Sequence, residues 1–310
     1  MKTFKDLISR WDACNGGQLL VDHQHPIKNM YLNVNDKGHR ELLIPVSKPI
    51  TKFQSTEAIG LTNYKNKKTY FFAIELLIDN LINEYASLCF DLIQSSRECA
   101  TSAEAVNTLF DTFRKWYYLM ADVNLGILST REIRGLIGEL KFMIDEIAGG
   151  RSDRELVNAW TIYKDACRDF IFDDTWNEIK TVQSTSDYIT ISSLEQLDHD
   201  MDGYLTVFKL DKASSNSTQT CTLNSIVNEL RALLGVTVEP ILNRKLLAKG
   251  YTYNEAYDQY FFTFKGKTRY IVNATFPRIS KERLSPAIKS AQYEILLNRI
   301  EEWSDTCGAQ

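Results

Sequence analysis

What this chain lacks narrows it first. No apolar run among its 310 residues approaches the ~20 needed to cross a bilayer, so no membrane span is expected. The N-terminus, Met1-Lys-Thr-Phe-Lys-Asp-Leu, carries an acid early and has no apolar h-region. A secretory signal is therefore not expected, and a cytoplasmic setting is. Six cysteines (Cys14, Cys89, Cys99, Cys167, Cys221, Cys307) include no CxxC pair, which argues for reduced thiols and against a zinc site. The four histidines are no better placed: His23 and His25 stand two apart, while His39 and His199 are remote. A GxxxxGK[ST] loop is missing, so nucleotide-driven movement would have to come from another chain. Internal repeats and low-complexity segments are missing too.

What remains is an ordinary globular composition, 44% hydrophobic and 25% charged, in a chain long enough for a substantial core and two domains. The net charge of −4 does not favour a protein that holds polyanions by overall charge alone. Basic residues between Lys37 and Lys68 read either as phosphate contacts or as a solvated face.

The first 70 or so residues look β-rich. Met30–Val34 and Arg40–Val46 flank a turn at Asn35-Asp36-Lys37-Gly38, and further strands are expected over Glu57–Thr62 and Lys68–Ala73. Helical spacing follows over Ile74–Ser95 and Ser102–Met120. Leu125 begins a connection to a second region. Ser129 with Glu132 forms a capping box, and Gly149-Gly150 a stop signal. Between them Ile133, Leu136, Ile137, Leu140, Ile144 and Ile147 make an apolar stripe. Glu139 flanks it beside Gly135 and Gly138, which allow close approach to another backbone. This acid is either a surface residue or leans over a sheet edge into a site.

Later segments read as a strand over Asp187–Ser192, a short helix from Ser192 and a strand over Gly203–Leu210. Helices are expected over Leu223–Leu234 and Val238–Lys249. A hairpin follows over Tyr257–Phe264 and Thr268–Ala274, turning at Lys265-Gly266-Lys267, and a final amphipathic helix covers Pro286–Trp303. The alternation of helix and strand suggests a mixed sheet with helices on its faces.

The stretch Arg168–Asp198 holds the chemistry. Asp169-Phe-Ile-Phe is a strand-like run, Trp176–Val182 alternates polar and apolar residues, and Asp173-Asp174 between them suits a two-residue turn. In that register Phe172 pairs with Thr175, and Asp169 faces Glu178 on one side of the sheet. Lys180 points the same way as Glu178, while Phe170 and Ile179 point to the other side. Like charges so close call for a cation between them, and a divalent metal is the natural one. Two acids and a lysine so arranged suit phosphodiester hydrolysis with Mg²⁺, which takes oxygen ligands from one or two carboxylates. An exposed cross-strand acid–lysine pair is the plainer reading of the same spacing.

Glu139 in a GELKF helix, Asp169-Phe170, Glu178-Ile-Lys180-Thr181 and Ser192-Ser193-Leu-Glu-Gln-Leu together resemble the PD-(D/E)XK nuclease superfamily. More narrowly, they resemble a bacterial family of PD-(D/E)XK-motif proteins linked to restriction and phage defence. The resemblance spans about Ser129–Asp198, and Phe276-Pro-Arg-Ile adds a weaker echo. Arg168 stands where the motif has proline. The resemblance implies an α/β (α+β) restriction-endonuclease-like fold: a mixed sheet core flanked by helices, with a β-rich and helical region ahead of it. Asp169 and Glu178 would then be ligands to Mg²⁺ (or Mn²⁺), Glu139 a further metal ligand or a residue behind the ligands, and Lys180 the residue acting on water, while Gln196 either reaches the site from the short helix, caps that helix or lies at the surface. Ser184 and Ser186 offer hydroxyls to a phosphate or simply end a strand.

Three regions are expected: 1–124 for recognition or assembly, 125–235 as nuclease core, and 236–310 as a C-terminal helix, hairpin and helix extension. The implied activity is Mg²⁺-dependent cleavage of double-stranded DNA. A separate ATPase, helicase or methyltransferase subunit and a homodimer are expected as partners. The alternative is a non-catalytic DNA-binding or scaffold subunit that kept the fold.

Overall fold

A helix that the β-rich reading of the N-terminus omits comes first. The computed structural model describes residues 3–305 except 15–16, 67–68, 122–125, 163–166, 215–216, 218 and 286. Helix α1 (Phe4–Asp12) buries Phe4, Leu7 and Trp11, and Thr3 N–H donates to Asp6 Oδ2 at 3.0 Å across its first turn. Strands β1 (Leu19–Leu20), β2 (Tyr31–Val34), β3 (Arg40–Val46), β4 (Ile59–Asn66) and β5 (Thr69–Leu76) follow. They form an antiparallel sheet in the order β1-β2-β3-β5-β4. The chain then enters helices α2 (Ile82–Ser95) and α3 (Ser102–Ala121). The helix expected from Ile74 starts later because Ile74 pairs with Leu42 and Leu61 inside the sheet. Helical spacing loses there to strand pairing.

One face of this sheet is apolar. Leu32, Leu42, Ile44, Phe72 and Ile74 join Trp11, Tyr85, Phe90, Phe113 and Trp116 in one core. The other face is mixed: Leu43 and Ala73 are buried there, and Glu41 is 1% exposed. Its carboxylate accepts from Asn33 Nδ2 at 2.7 Å, Asn35 Nδ2 at 3.1 Å and Tyr64 OH at 3.0 Å. Of the basic residues nearby, Arg40 pairs with Asp12, Lys52 Nζ lies over the rings of Phe53 and Phe110, and Lys65 Nζ over Tyr70. Lys67 and Lys68 lie outside the described residues.

The second half contains α4 (Thr130–Ala148), α5 (Asp153–Ala159), β6 (Phe170–Ile171), β7 (Trp176–Val182), β8 (Tyr188–Ile191), β9 (Gly203–Lys212) and α6 (Leu223–Leu233). Helix α7 (Glu239–Ala248) and strands β10 (Phe262–Val272) and β11 (Tyr293–Leu296) complete the chain. The larger sheet runs β10-β9-β7-β6 and is mixed: β7 and β9 are parallel, and the other pairs are antiparallel. The fold is α+β, as the resemblance implied.

Three expectations are corrected here. Asp187–Ser192 does not extend the larger sheet, because β8 pairs with β11 in a sheet of two strands. The hairpin expected at Lys265-Gly266-Lys267 is a single strand, β10, running along β9. Lys265 is the extra residue of a bulge between the Phe264–Leu210 and Gly266–Lys209 pairs. The final helix expected over Pro286–Trp303 is β11 followed by two 3-10 turns, and Pro286 itself lies outside the described residues. Its buried residues, Ile295 and Ile300, are five apart, which no single helical face provides.

The chain folds into two compact units. One joins Met1–Gly126 to Val236–Tyr253, and the other joins Ile127–Gly235 to Asn254–Gln310. The segment expected as one extension, 236–310, is thus divided between them. In the first unit α7 docks by Asn243 Nδ2 on Ser87 Oγ at 2.8 Å, and Leu247 enters the core. The boundary expected at 124/125 falls outside the described residues.

Candidate active site

The Asp173-Asp174 turn sets the register of the site. Phe172 N–H donates to Thr175 O at 2.8 Å, Ile171 pairs with Trp176, and Phe170 with Asn177. Phe170 points away from the site into a ring contact with Phe142 of α4, 4.7 Å between centroids. Strand β6 then stops, so from Glu178 onward that edge of β7 has no strand beside it among the described residues. Asp169 fills the first gap with its side chain, accepting from Ile179 N–H at 2.8 Å through Oδ2.

Helix α4 crosses next to this edge. Its start is fixed by Ser129, whose Oγ accepts from Glu132 N–H while the Glu132 carboxylate accepts from Ser129 N–H at 2.8 Å. Close approach is possible because Gly138 has no side chain: a Cβ there would stand 2.1 Å from Thr181 Oγ1. One residue on, Glu139 is carried to the edge, and Trp160 Nε1 donates to its Oε2 at 2.6 Å.

A cavity of about 550 Å³ opens there, and Glu139, Asp169, Glu178, Lys180 and Gln196 all line it. All five side chains singled out in the sequence therefore meet in one place. Lys180 Nζ donates to Glu178 Oε1 at 2.8 Å and to Gln196 Oε1 at 3.0 Å. Ser192 N–H donates to the same Gln196 oxygen at 2.8 Å, fixing which end of the amide faces the lysine. Ser184 Oγ donates to Asp211, and Ser186, which also lines the cavity, donates its hydroxyl to Tyr188 O.

Glu178 carries the electrostatic tension. It is 2% exposed, and its Oε2 is buried without a hydrogen-bond partner. Burial, then the neighbouring Asp169, push its carboxyl up to about 8 against the pull of Lys180, and Glu139 pushes it further the same way. Three acids thus act on one point. Arg168, where the motif has proline, is buried beside them. Its guanidinium lies 5.0 Å from the Trp176 ring centre, and Nη2 donates to Asp198 O at 2.6 Å.

An orphaned oxygen on a buried carboxyl, Glu178, whose proton affinity burial and two neighbouring acids raise, fits a hard divalent cation. Among the described residues, no three His, Cys, Asp or Glu side chains form a cage for a metal by themselves. His25 and His39 are likewise engaged, on Ile93 O and the Glu75 carboxylate.

Sequence reasoning missed Trp160, which holds Glu139 from 21 residues away with no local pattern to announce it. It also missed Arg131 and Arg134, which line the same cavity. For Arg131 the signal was present: Arg131, Gly135 and Glu139 recur every four residues along one helical face. No helix among the described residues is long and apolar enough to cross a membrane. A family model described as "Putative PD-(D/E)XK family member, (DUF4420)" matches residues 3–298. No curated protein and no solved structure matches the chain.

Proposed function

Since the chain belongs to this PD-(D/E)XK family, we propose that it is a divalent-metal-dependent endonuclease hydrolysing phosphodiester bonds of double-stranded DNA. A bacterial restriction or phage-defence system is its proposed setting. The observation that carries the reading is the meeting of two strand acids, a helix acid and a doubly anchored lysine around the unpartnered Glu178 oxygen.

Asp169 and Glu178, with Glu139 beside them, are the residues that would hold Mg²⁺ or Mn²⁺. The ion would supply Lewis-acid polarisation of a phosphoryl oxygen and a bound water of lowered pKa. The protein's own part is positional. An ammonium has three N–H donors; Lys180 directs two at Glu178 and Gln196 and keeps the third for a water or a phosphate oxygen. Ile179 N–H fixes Asp169, and Trp160 fixes Glu139, so neither carboxylate must be ordered when substrate arrives. Nucleotide-driven translocation is assigned to a separate subunit, since the chain has no phosphate-binding GxxxxGK[ST] loop.

Plasmid nicking in Mg²⁺ tests this directly. Wild type is expected to convert supercoiled to open-circular DNA, and Asp169→Ala and Lys180→Ala to lose at least about 100-fold in rate, as removal of a group acting in the transition state does. Equal cleavage by all three proteins would show that the site is misassigned. A wild type that binds duplex but never cuts, whichever divalent metal is supplied, would favour the scaffold alternative.

A further inference from the structure

Along α4 the cavity runs away from the carboxylates. Arg134 and Arg131 precede Glu139 by five and eight residues, about 7 and 12 Å along the axis at ~1.5 Å per residue. The adjoining recess, about 280 Å³, is lined by Thr130, Arg131, Arg134, Thr181, Gln183 and Lys212. Three of these are cations, and among the described residues no acid lines it.

The cations are poorly matched by the protein itself. A guanidinium has five N–H donors. Arg134 directs one at Leu210 O, at 3.1 Å, and its Nε is buried without an acceptor. Asp211 is the acid whose field reaches Arg134, but its oxygens are taken by Ser184 N–H at 2.8 Å and Ser184 Oγ at 2.6 Å. Arg131 and Lys212 are exposed and make no ion pair among the described residues. Scattered surface cations need no explanation. Three unmatched ones around one concavity, with part of a guanidinium already desolvated, leave an anion-shaped deficit.

We propose that this recess is a phosphate subsite for double-stranded DNA, in which Arg131, Arg134 and Lys212 hold backbone phosphates flanking the scissile one. The proposal rests on the nuclease reading of the adjoining cavity and adds to it where the duplex lies. Gln183 supplies a neutral donor beside the cations, and Gly135, with nothing within 4 Å of its missing Cβ, leaves the helix surface low between the two sites.

The test uses the full-length protein and a fluorescent duplex of mixed sequence, with Ca²⁺ in place of Mg²⁺ for binding and Mg²⁺ for nicking. Each lost phosphate contact should flatten the slope of log affinity against log salt by about 0.9. The double variant Arg131→Ala/Lys212→Ala should therefore lose about 2 from the slope and bind roughly 10- to 100-fold more weakly, whatever the sequence. Arg134→Ala should add to the loss; if it fails to fold, the exposed pair decides alone. Arg299→Ala, an exposed cation outside the recess, should leave the slope unchanged. Wild-type slope and affinity in the double variant, with nicking still dependent on Lys180, would overturn the subsite and leave the nuclease reading standing. An equal loss in Arg299→Ala would also overturn it. No duplex binding and no nicking by wild type would sink both.

Discussion

Glu178 has an ionised partner on one oxygen, nothing on the other, and a carboxyl raised by burial and by Asp169 from the ordinary 4.5 to about 8. The sign of its effect on stability follows. Between pH 4.5 and about 8 the folded protein keeps a proton that the unfolded chain releases, so stability from this group is full below that window, falls as pH rises through it, and is level above. Glu178→Gln removes the titration. Urea denaturation should show the variant gaining on wild type between pH 5 and pH 9, by on the order of a few kcal/mol at the upper end, while nicking is lost. A gap that stays constant with pH would mean that the side chain is not held as described. At this scale the sequence was most legible: alternation along β7 and the two-residue turn were enough to align Asp169, Glu178 and Lys180. Trp160 and Arg168 were not legible, because their roles depend on a helix edge and a loop brought together only by folding.

At the scale of elements, the packing of α4 on β7 turns on two glycines with opposite expectations. Gly138→Ala sets a methyl 2.1 Å from Thr181 Oγ1 and should cost about 1–3 kcal/mol as the helix is pushed from the strand. Thr181→Ala in the same chain should restore most of it. Gly135→Ala meets nothing within 4 Å and should stabilise by up to about 1 kcal/mol through helix propensity alone. Thermal or urea unfolding of the set distinguishes close packing from a merely flexible helix. The capping box at Ser129 and both glycines could be read in advance because these signals are local. The course of β10 and the identity of β11 could not. Gly266 in a strand reads as a turn until its long partner β9 is known, and Tyr293–Leu296 takes strand form only because β8 is there to pair with it.

For the whole molecule, the informative fact is that 236–253 belongs with the first 126 residues. Helix α7 supplies Asn243 to buried Ser87, Arg244 to Asp91 at 3.5 Å, and Leu247 to the core. A fragment ending at residue 126 should therefore be aggregation-prone, with weak protection of α2 in hydrogen exchange. The same fragment joined by a flexible linker to 236–253 should fold cooperatively. Equal behaviour of the two would mean that the first 126 residues are self-sufficient. No local pattern around Glu239–Ala248 announces this division, since the sequence of a short helix does not declare which core it will enter.

The chain passes between its two units three times, near residues 126, 235 and 253. Neither unit is a contiguous cassette. A single genetic crossover cannot swap one for a homologous counterpart, because it would sever α7 from the partner it was selected against. Exchange of either unit by recombination must here take two stretches of gene at once.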